Sequence, residues 1–385
     1  MKIQTIRGEE CKSTRPLWEE VFSEDSKEFL DYYYTYKAAE GIGYVLGEFP
    51  YDAMMFRNPY ELMIGKQKRE ISYLVAVATR KEQRHKGYMT ALLMESFQQM
   101  YREKNPFTFL MPANPAIYEP FDFSYVYERE VWKLSKEWIP ALEGLWNPKK
   151  EREKRSDKSL EEMFLQAASY EEQGESDVKS WKEVGDDLLK QWQKKTGYEL
   201  LSMRNETGKG KDSSLWKDIS EFSRQWLKER YEIYTVREEA YYIRQLKELI
   251  SQKGDIFVAV KEGNIGGIFL YAREAEEVSI QEVMEQEEGI FSFLQKEEQK
   301  KPIIMARIIH VEEMLKLVKS RERKSCLIEV EDPLLPQNDG VYRLEMTPLG
   351  STVVKLERRR EAEKFYQIKG LAPQVLKNIF LNEIV

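Results

Sequence analysis

The chain has 385 residues, a length that predicts two or three domains at roughly 150 residues each. Its 42% hydrophobic and 33% charged residues, with eight tryptophans, are typical of a folded protein and exclude a disordered chain. The net charge of −7 argues against nucleic acid as the main partner, because binding to phosphates needs a basic surface. The same charge mildly favours a cationic substrate.

The two cysteines, Cys11 and Cys326, lie far apart, so their spacing predicts neither a disulfide framework nor a zinc site. The N-terminus lacks the apolar core of a signal peptide, and no apolar run approaches the roughly 20 residues that span a bilayer. We therefore expect a cytoplasmic protein without a membrane-spanning segment.

Histidine is scarce, since only His85 and His310 occur in the chain. This count excludes a His-rich metal site, and we expect no metal cofactor. His310 follows a strand-like apolar run and is expected to be structural, whereas His85 lies in a basic loop. If the protein is an enzyme, its proton chemistry should use tyrosine and carboxylate groups instead.

Two changes in composition predict the domain boundaries. A nearly pure charge run follows Trp146, and a second charge run over 295–301 ends at Pro302. The polar stretch 204–214 is interpreted as a loop inside the middle domain. The predicted domains are residues 1–147, 148–297 and 298–385.

The first domain should be an α/β unit with a mixed sheet. Its predicted elements, in chain order, are a buried strand at 71–79, a polar loop, an amphipathic helix from 88 to about 103, and strands at 106–111 and 124–134. For the middle domain, the patterns predict helices around 215–230 and 237–251, then strands at 255–260 and 265–272. The third domain is predicted as an antiparallel α+β module, with strands at 303–309, 326–331, 340–346, 351–357 and 365–369, a helix at 311–319 and a short helix from Ala372.

The loop after the first predicted strand has the composition of a phosphate site. Arg84, Lys86 and Gly87 stand where the strand turns into a helix, and Thr90 adds a hydroxyl. Free N–H groups at a helix N-terminus favour a pyrophosphate, and glycine allows its close approach. The alternative is a solvated charged loop with a glycine turn.

The segment Val77-Ala78-Thr79, followed by the run 84–93, resembles the acetyl-CoA loop (Gln/Arg-x-x-Gly-x-Gly/Ala) of the GCN5-related N-acetyltransferases (GNAT). Met89 departs from this pattern, since many members have Gly or Ala there. The resemblance implies an acetyl-CoA site made of Val77, Thr79, Arg84, His85, Lys86, Gly87, Met89 and Thr90.

The whole chain resembles the enhanced intracellular survival (Eis) type of these acetyltransferases. The resemblance rests on Asn58-Pro59-Tyr60, the runs 117–123 and 305–308, and the ending 382–385. It implies two GNAT-like mixed-sheet domains, the second degenerate, followed by a sterol-carrier-protein-like antiparallel sheet domain. It also implies a homo-oligomer, usually a hexamer.

Two catalytic residues follow from the same resemblance. Tyr118 matches the tyrosine that, in the Eis-type enzymes, protonates the thiolate of the departing CoA. The alternative is that Tyr118 is an aromatic residue of the core. Tyr125 and Tyr127 are weaker candidates for the acid. The apolar C-terminal residues predict a docked chain end, unlike most termini. By resemblance the Val385 carboxylate acts as general base, and simple packing of a terminal helix is the alternative.

For the acceptor, the sequence offers only Glu24 and Asp25, acidic residues that could attract an ammonium group, and a solvated helix cap is the favoured alternative. The expected function is an acetyl-CoA-dependent N-acetyltransferase acting on a primary amine of a cationic small molecule, such as an aminoglycoside, a polyamine or a lysine-like group. The alternative is a non-catalytic, degenerate acetyltransferase that binds an apolar ligand or a protein partner.

Overall fold

The computed structural model describes residues 2–146, 181–206, 214–274, 277–356 and 362–382. The chain forms two compact units, of which the first comprises Met1–Glu130, Ser220–Gln252 and Glu298–Val385, and the second comprises Val131–Ile219 and Lys253–Glu297. Each unit is therefore discontinuous in sequence. The three-domain division at residues 147 and 298 stays a prediction.

The secondary structure alternates strands and helices along the chain. The strands are β1 (Ile3–Ile6), β2 (Ile42–Leu46), β3 (Ala53–Ile64), β4 (Gln67–Thr79), β5 (Phe107–Leu110), β6 (Ser124–Arg129), β7 (Trp132–Leu134), β8 (Glu199–Ser202), β9 (Ile233–Thr235), β10 (Asp255–Lys261), β11 (Asn264–Glu274), β12 (Glu277–Glu285), β13 (Leu294–Lys296), β14 (Lys301–Ile308), β15 (Lys324–Glu331), β16 (Gly340–Thr347), β17 (Gly350–Lys355), β18 (Lys364–Gln367) and β19 (Ile379–Phe380). The α-helices are α1 (Arg15–Val21), α2 (Lys27–Tyr32), α3 (Tyr88–Arg102), α4 (Trp138–Gly144), α5 (Trp181–Thr196), α6 (Ser214–Arg230), α7 (Glu239–Ser251), α8 (Val311–Leu317) and α9 (Ile368–Val375). A π-helix, Tyr33–Lys37, continues α2.

The main sheet of the first unit has the strand order β1-β2-β3-β4-β5-β14-β6, and β9 pairs with β3 and β19. β4 and β5 run parallel, whereas the other neighbours along the main order are antiparallel, which makes the sheet mixed. This architecture confirms the predicted α/β fold class. The strand predicted at 303–309 is β14, and it lies between β5 and β6 of the same sheet.

Helix α3 covers part of this sheet through its apolar face. Leu92, Leu93, Phe97 and Met100 recur at helical spacing, and all four are buried in one cluster with residues of β2 and β3. The helix predicted from residue 88 to about 103 is confirmed. Burial of such side chains contributes about 25 cal/mol per Å² of apolar surface and stabilises the helix on the sheet.

A second sheet of the first unit comes from the end of the chain, in the order β17-β16-β15-β18. β15, β16 and β17 are antiparallel, as predicted, but β18 joins β15 in parallel. The helix predicted from Ala372 is α9, which already begins at Ile368.

The second unit contains an antiparallel sheet in the order β12-β11-β10-β8 and the short pair β7 and β13. The segment predicted as one strand over 124–134 is divided, because β6 joins the main sheet and β7 pairs with β13. Aromatic rings fill the core of this unit; for example, Phe257 and Phe269 stack with centroids 5.0 Å apart. Among the described residues, no helix is both long enough and apolar enough to cross a membrane.

Candidate active site

A cavity of about 720 Å³ lies at the carboxyl end of β4 in the first unit. Most of the predicted site residues line it together: Glu24, Asp25, Val77, Thr79, Arg84, His85, Gly87, Met89, Thr90 and Tyr118. Lys86 is not among the lining residues, and its Nζ instead donates a hydrogen bond of 2.6 Å to Gln83 Oε1. The structure therefore gathers residues from distant parts of the sequence around one space.

The cavity exists because β4 and β5 separate. Their parallel pairing joins Ser72 to Thr108 and Tyr73 to Phe109, after which β5 ends at Leu110 while β4 runs on to Thr79. The edge of β4 that faces the missing part of β5 can then offer backbone N–H and C=O groups to a ligand.

A β-bulge shapes the same stretch of β4. The pairing of β3 with β4 shifts its register between Met54 and Phe56, and Ala76 adopts a φ of +52°. A left-handed conformation costs a residue other than glycine about 1–2 kcal/mol. Such strain is concentrated at functional sites, and bulges commonly re-aim strands beside them.

The basic loop after β4 is held in a tight turn. Arg84 Nε donates a hydrogen bond of 3.3 Å to the carbonyl oxygen of Thr79, and His85 and Gly87 have φ values of +64° and +78°. A Cβ atom placed on Gly87 would meet no other atom within 4 Å. The space above Gly87 is therefore open to a ligand.

Helix α3 begins directly after this loop, with Gly87 as its N-cap residue. Within the described chain, no side chain caps this 15-residue helix, so the N–H groups of its first turn keep their hydrogen-bonding capacity. The helix dipole adds partial positive charge at the same end. Uncapped N–H groups, Arg84 and the open space at Gly87 together fit a diphosphate group.

Tyr118 also lines the cavity, and it lies between the 3-10 turns Pro115–Ile117 and Glu119–Phe121. The first turn is capped by Asn114, whose Oδ1 accepts a hydrogen bond from the Ala116 N–H. Burial raises the pKa of the Tyr118 hydroxyl to about 12, because the charged phenolate is poorly solvated there. Tyr118 is therefore protonated near neutral pH, as a proton donor must be.

Glu24 and Asp25 differ in their surroundings, although both line the cavity. Asp25 is half-buried and accepts a hydrogen bond of 2.7 Å from Trp18 Nε1, while Glu24 is exposed. The cavity also has an apolar part that the sequence analysis did not identify, which includes Phe22, Met111 and Ile117. Ile117 is 45% exposed. In the sequence, only its position next to Tyr118 indicates that it could line the site.

The predicted general base, Val385, lies outside the described residues. The residues just before it are buried, from Ile379 to Asn382, and β19 pairs in parallel with β9. His310 is structural, as expected: its Nδ1 accepts a hydrogen bond from the Glu313 N–H, and its ring stacks on Tyr101 at 4.5 Å.

Comparison with protein families matches residues 2–126 to the model described as "Acetyltransferase (GNAT) domain". This match covers the cavity residues of the first unit, and it confirms the expected enzyme class, an N-acetyltransferase. Domains of this family take the acetyl group from acetyl-CoA. No curated protein sequence matches the chain.

Solved structures share the fold over nearly the whole chain. A probable N-acyltransferase from Enterococcus faecalis is 14% identical, with 97% of this chain and 88% of that chain covered and a TM-score of 0.67. A GCN5-related N-acetyltransferase from Anabaena variabilis is 15% identical, with 97% and 89% covered and a TM-score of 0.65. Eis1 from Mycobacterium abscessus is 9% identical, with 98% and 90% covered and a TM-score of 0.61.

Proposed function

We propose that this N-acetyltransferase moves an acetyl group from acetyl-CoA to a primary amine of a cationic small molecule. One observation carries the proposal: the open edge of β4, the uncapped start of α3 and Tyr118 all face a single cavity. These three parts supply, in that order, a strand edge for an extended chain, a site for a diphosphate and a proton donor.

Acetyl-CoA, when bound, supplies a thioester carbonyl for attack by the amine. We assign its pantetheine arm to the backbone of Val77 and Thr79, because a strand edge pairs with amide groups. Its pyrophosphate is assigned to the N-terminus of α3, with Arg84 as a counter-charge and Gly87 allowing close approach. His85, Met89 and Thr90 complete the wall around this group.

Tyr118 is proposed as the acid that gives its phenolic proton to the leaving sulfur atom. Burial raises its pKa to about 12, so the hydroxyl is protonated at neutral pH, as an ordinary tyrosine is. An alkylammonium acceptor, with a pKa near 10, must lose a proton before it attacks, so a base is also required. By resemblance to the Eis-type enzymes, we assign this role to the Val385 carboxylate, which a short C-terminal extension should disable.

The acceptor should be amphipathic. Glu24 is exposed in the cavity, whereas Asp25 already accepts a bond from Trp18, so Glu24 is the better partner for an ammonium group. Met111 and Ile117 are exposed apolar side chains of the same cavity. Aminoglycosides, polyamines and lysine-like amines carry the required cation and differ in how much apolar surface they offer.

Three further assignments belong to the Eis-type resemblance. They are a degenerate second GNAT-like domain at 148–297, a sterol-carrier-protein-like domain at 298–385, and a hexamer in the cytoplasm. Light scattering of the purified chain tests the hexamer directly.

The decisive experiment measures CoA release with polyamines, aminoglycosides and lysine peptides, next to thermal stabilisation by acetyl-CoA. We expect stabilisation by acetyl-CoA and turnover with at least one cationic amine. Stabilisation without turnover on the panel would reject the acceptor class. If acetyl-CoA does not stabilise the protein and no amine is turned over, the result would favour the non-catalytic alternative. That alternative is a binding protein for an apolar ligand or a protein partner.

A further inference from the structure

A second cavity, of about 240 Å³, lies in the first unit between β3, the π-helix and the start of α7. We call it the Lys37 cavity; none of its lining residues lines the acetyl-CoA cavity. Tyr60 lines the Lys37 cavity and Tyr73 lines the larger one, and their rings meet edge to face with centroids 5.5 Å apart. The two spaces are therefore distinct.

The inner wall of the Lys37 cavity is polar yet buried, through Lys37, Asn58, Thr235 and Gln245. Lys37 is the last residue of the π-helix, and its Nζ donates a hydrogen bond of 2.8 Å to the Tyr60 hydroxyl. π-Helical turns are rare in proteins, and many of those that occur lie at functional sites. The Lys37 Nζ also lies 3.8 Å from a carboxylate oxygen of the buried Glu248. Because an ammonium group has three N–H donors, Lys37 can still bind a ligand in the cavity.

Thr235 supplies the second observation. Only 2% of the residue is exposed, and among the described residues its Oγ1 has no hydrogen-bond partner. Buried hydroxyls nearly always have partners, and leaving one unpaired costs about 1–3 kcal/mol. A ligand in the cavity would supply the partner.

Helix α7 adds a third feature at the rim of the cavity, where Glu238 and Ala240 are exposed. It begins beside the cavity, its N-cap residue is Glu238, and in the described structure no side chain caps its first turn. The Tyr241 N–H donates to the Glu238 carbonyl at 2.9 Å, and the dipole of this 13-residue helix favours a negatively charged group at this end. On the inner wall, Lys37 and Thr235 are the groups that suit a carboxylate.

The rim has the opposite charge, because four exposed glutamates stand there: Glu40, Glu61, Glu70 and Glu238. Arg244 pairs with Glu40, and Lys68 lies 2.8 Å from Glu61 and 3.5 Å from Glu238. Within the described residues, Glu70 has no cationic partner in an ion pair. The rim therefore retains negative charge that suits an ammonium group.

We propose that the Lys37 cavity binds a small zwitterion of the α-amino-acid class. The carboxylate faces Lys37 and Thr235, and the ammonium group faces Glu70 at the rim. A cavity of about 240 Å³ suits a free amino acid and is too small for a coenzyme. Positive charge lies inside the cavity and negative charge lies at its rim. This arrangement favours a zwitterion over a simple amine, a simple acid or a neutral sugar.

The test is calorimetric titration of the full chain with the common free amino acids. For the tightest one, the corresponding amine without the carboxylate and the corresponding acid without the ammonium are titrated too, with glucose as a neutral polyol. We expect both analogues to bind about tenfold more weakly or worse, equivalent to 1.4 kcal/mol or more. No binding by any amino acid, or equal binding by glucose or either analogue, overturns the proposal.

Thr235→Val separates a ligand role from a structural one. Since the hydroxyl has no partner in the described structure, the free protein should keep its melting temperature while its affinity for the amino acid falls about tenfold. The matched control is Thr108→Val, because the Thr108 hydroxyl donates a hydrogen bond of 2.8 Å to the Ser72 carbonyl. Thr108→Val should lose stability and keep its affinity for the amino acid. If Thr235→Val also kept its affinity for the amino acid, the proposal would be overturned.

Discussion

Arg307 Nε donates a hydrogen bond of 3.0 Å to the carbonyl oxygen of Phe121. The guanidinium also pairs with Asp332 at 2.6 Å, and both side chains are fully buried. Phe121 ends the 3-10 turn that follows Tyr118, and its N–H donates back to the Tyr118 carbonyl at 2.9 Å. A strand from the last part of the chain thus holds the turn that carries the proposed acid.

Replacing Arg307 with methionine should destabilise the fold strongly. Asp332 would stay buried without its cation, and removal of one partner from a buried pair costs about 3–5 kcal/mol. Urea unfolding measures this loss. Lys12→Met is the control, because Lys12 forms an exposed pair with Glu9 and its removal should leave the unfolding free energy unchanged. If Arg307→Met unfolded at the same urea concentration as the wild type, the buried Arg307–Asp332 pair would not stabilise the fold.

Tyr118→Phe should lower kcat by about a hundredfold or more, the usual contribution of a general acid. Acetyl-CoA affinity should change little, since the variant keeps the ring that packs on Phe123. Tyr125→Phe serves as the matched control, because Tyr125 is a partly buried tyrosine of the same cluster. If Tyr125→Phe had the larger effect on kcat, Tyr118 would not be the acid.

The pH dependence of turnover offers a separate check on Tyr118. Burial raises its pKa to about 12, so the protonated form that donates persists above the usual tyrosine pKa of about 10. For single-turnover transfer, we expect no loss of rate near pH 10 from ionisation of this group. A basic limb near pH 10 that disappears in Tyr118→Phe would show that the hydroxyl titrates normally.

Gly87→Ala should weaken acetyl-CoA binding. Alanine at a φ of +78° is strained by about 1–2 kcal/mol, and the added methyl enters the space at the start of α3. Gly263→Ala is a close control: Gly263 has a φ of +79°, an added Cβ there also meets nothing within 4 Å, and it lies in the turn between β10 and β11. Both variants should lose similar stability, and only Gly87→Ala should raise the Kd for acetyl-CoA.

Arg84 and Lys86 should contribute unequally. Arg84 lines the cavity, whereas Lys86 does not, and its Nζ donates a hydrogen bond to the side chain of Gln83. Arg84→Gln should therefore raise the Kd for acetyl-CoA severalfold at low salt and less at high salt, since exposed charges are screened. Lys86→Gln should have the smaller effect, and titrations at two salt concentrations compare them. Equal effects would mean that both charges reach the phosphates.

The sequence was informative where structure is local. Residues 71–79 and the helix from Tyr88 follow from periodicity, and Gly87 follows from the chemistry of a strand-to-helix turn. The bulge at Ala76 was not predictable, because alanine carries no signal for a positive φ. Strand pairing was not predictable either: the apolar residues of β14 predict a strand, but they do not say that it lies between β5 and β6.

The apolar wall of the active-site cavity was missed for a related reason. Phe22 and Met111 carry no signal in the sequence that distinguishes them from other apolar residues, and only the structure places them on the wall of the cavity. Residue type alone could not distinguish a core residue from a ligand-binding one, because large apolar side chains serve both roles.

The insertion of β14 between β5 and β6 has a consequence for synthesis of the protein. As the chain leaves the ribosome, β5 and β6 appear early, but the strand that must separate them is translated much later. Until then two sheet edges stay unpaired and exposed to aggregation. The catalytic sheet can therefore close only after Ile308 has emerged, and a nascent chain that ends after β6 should depend on chaperones.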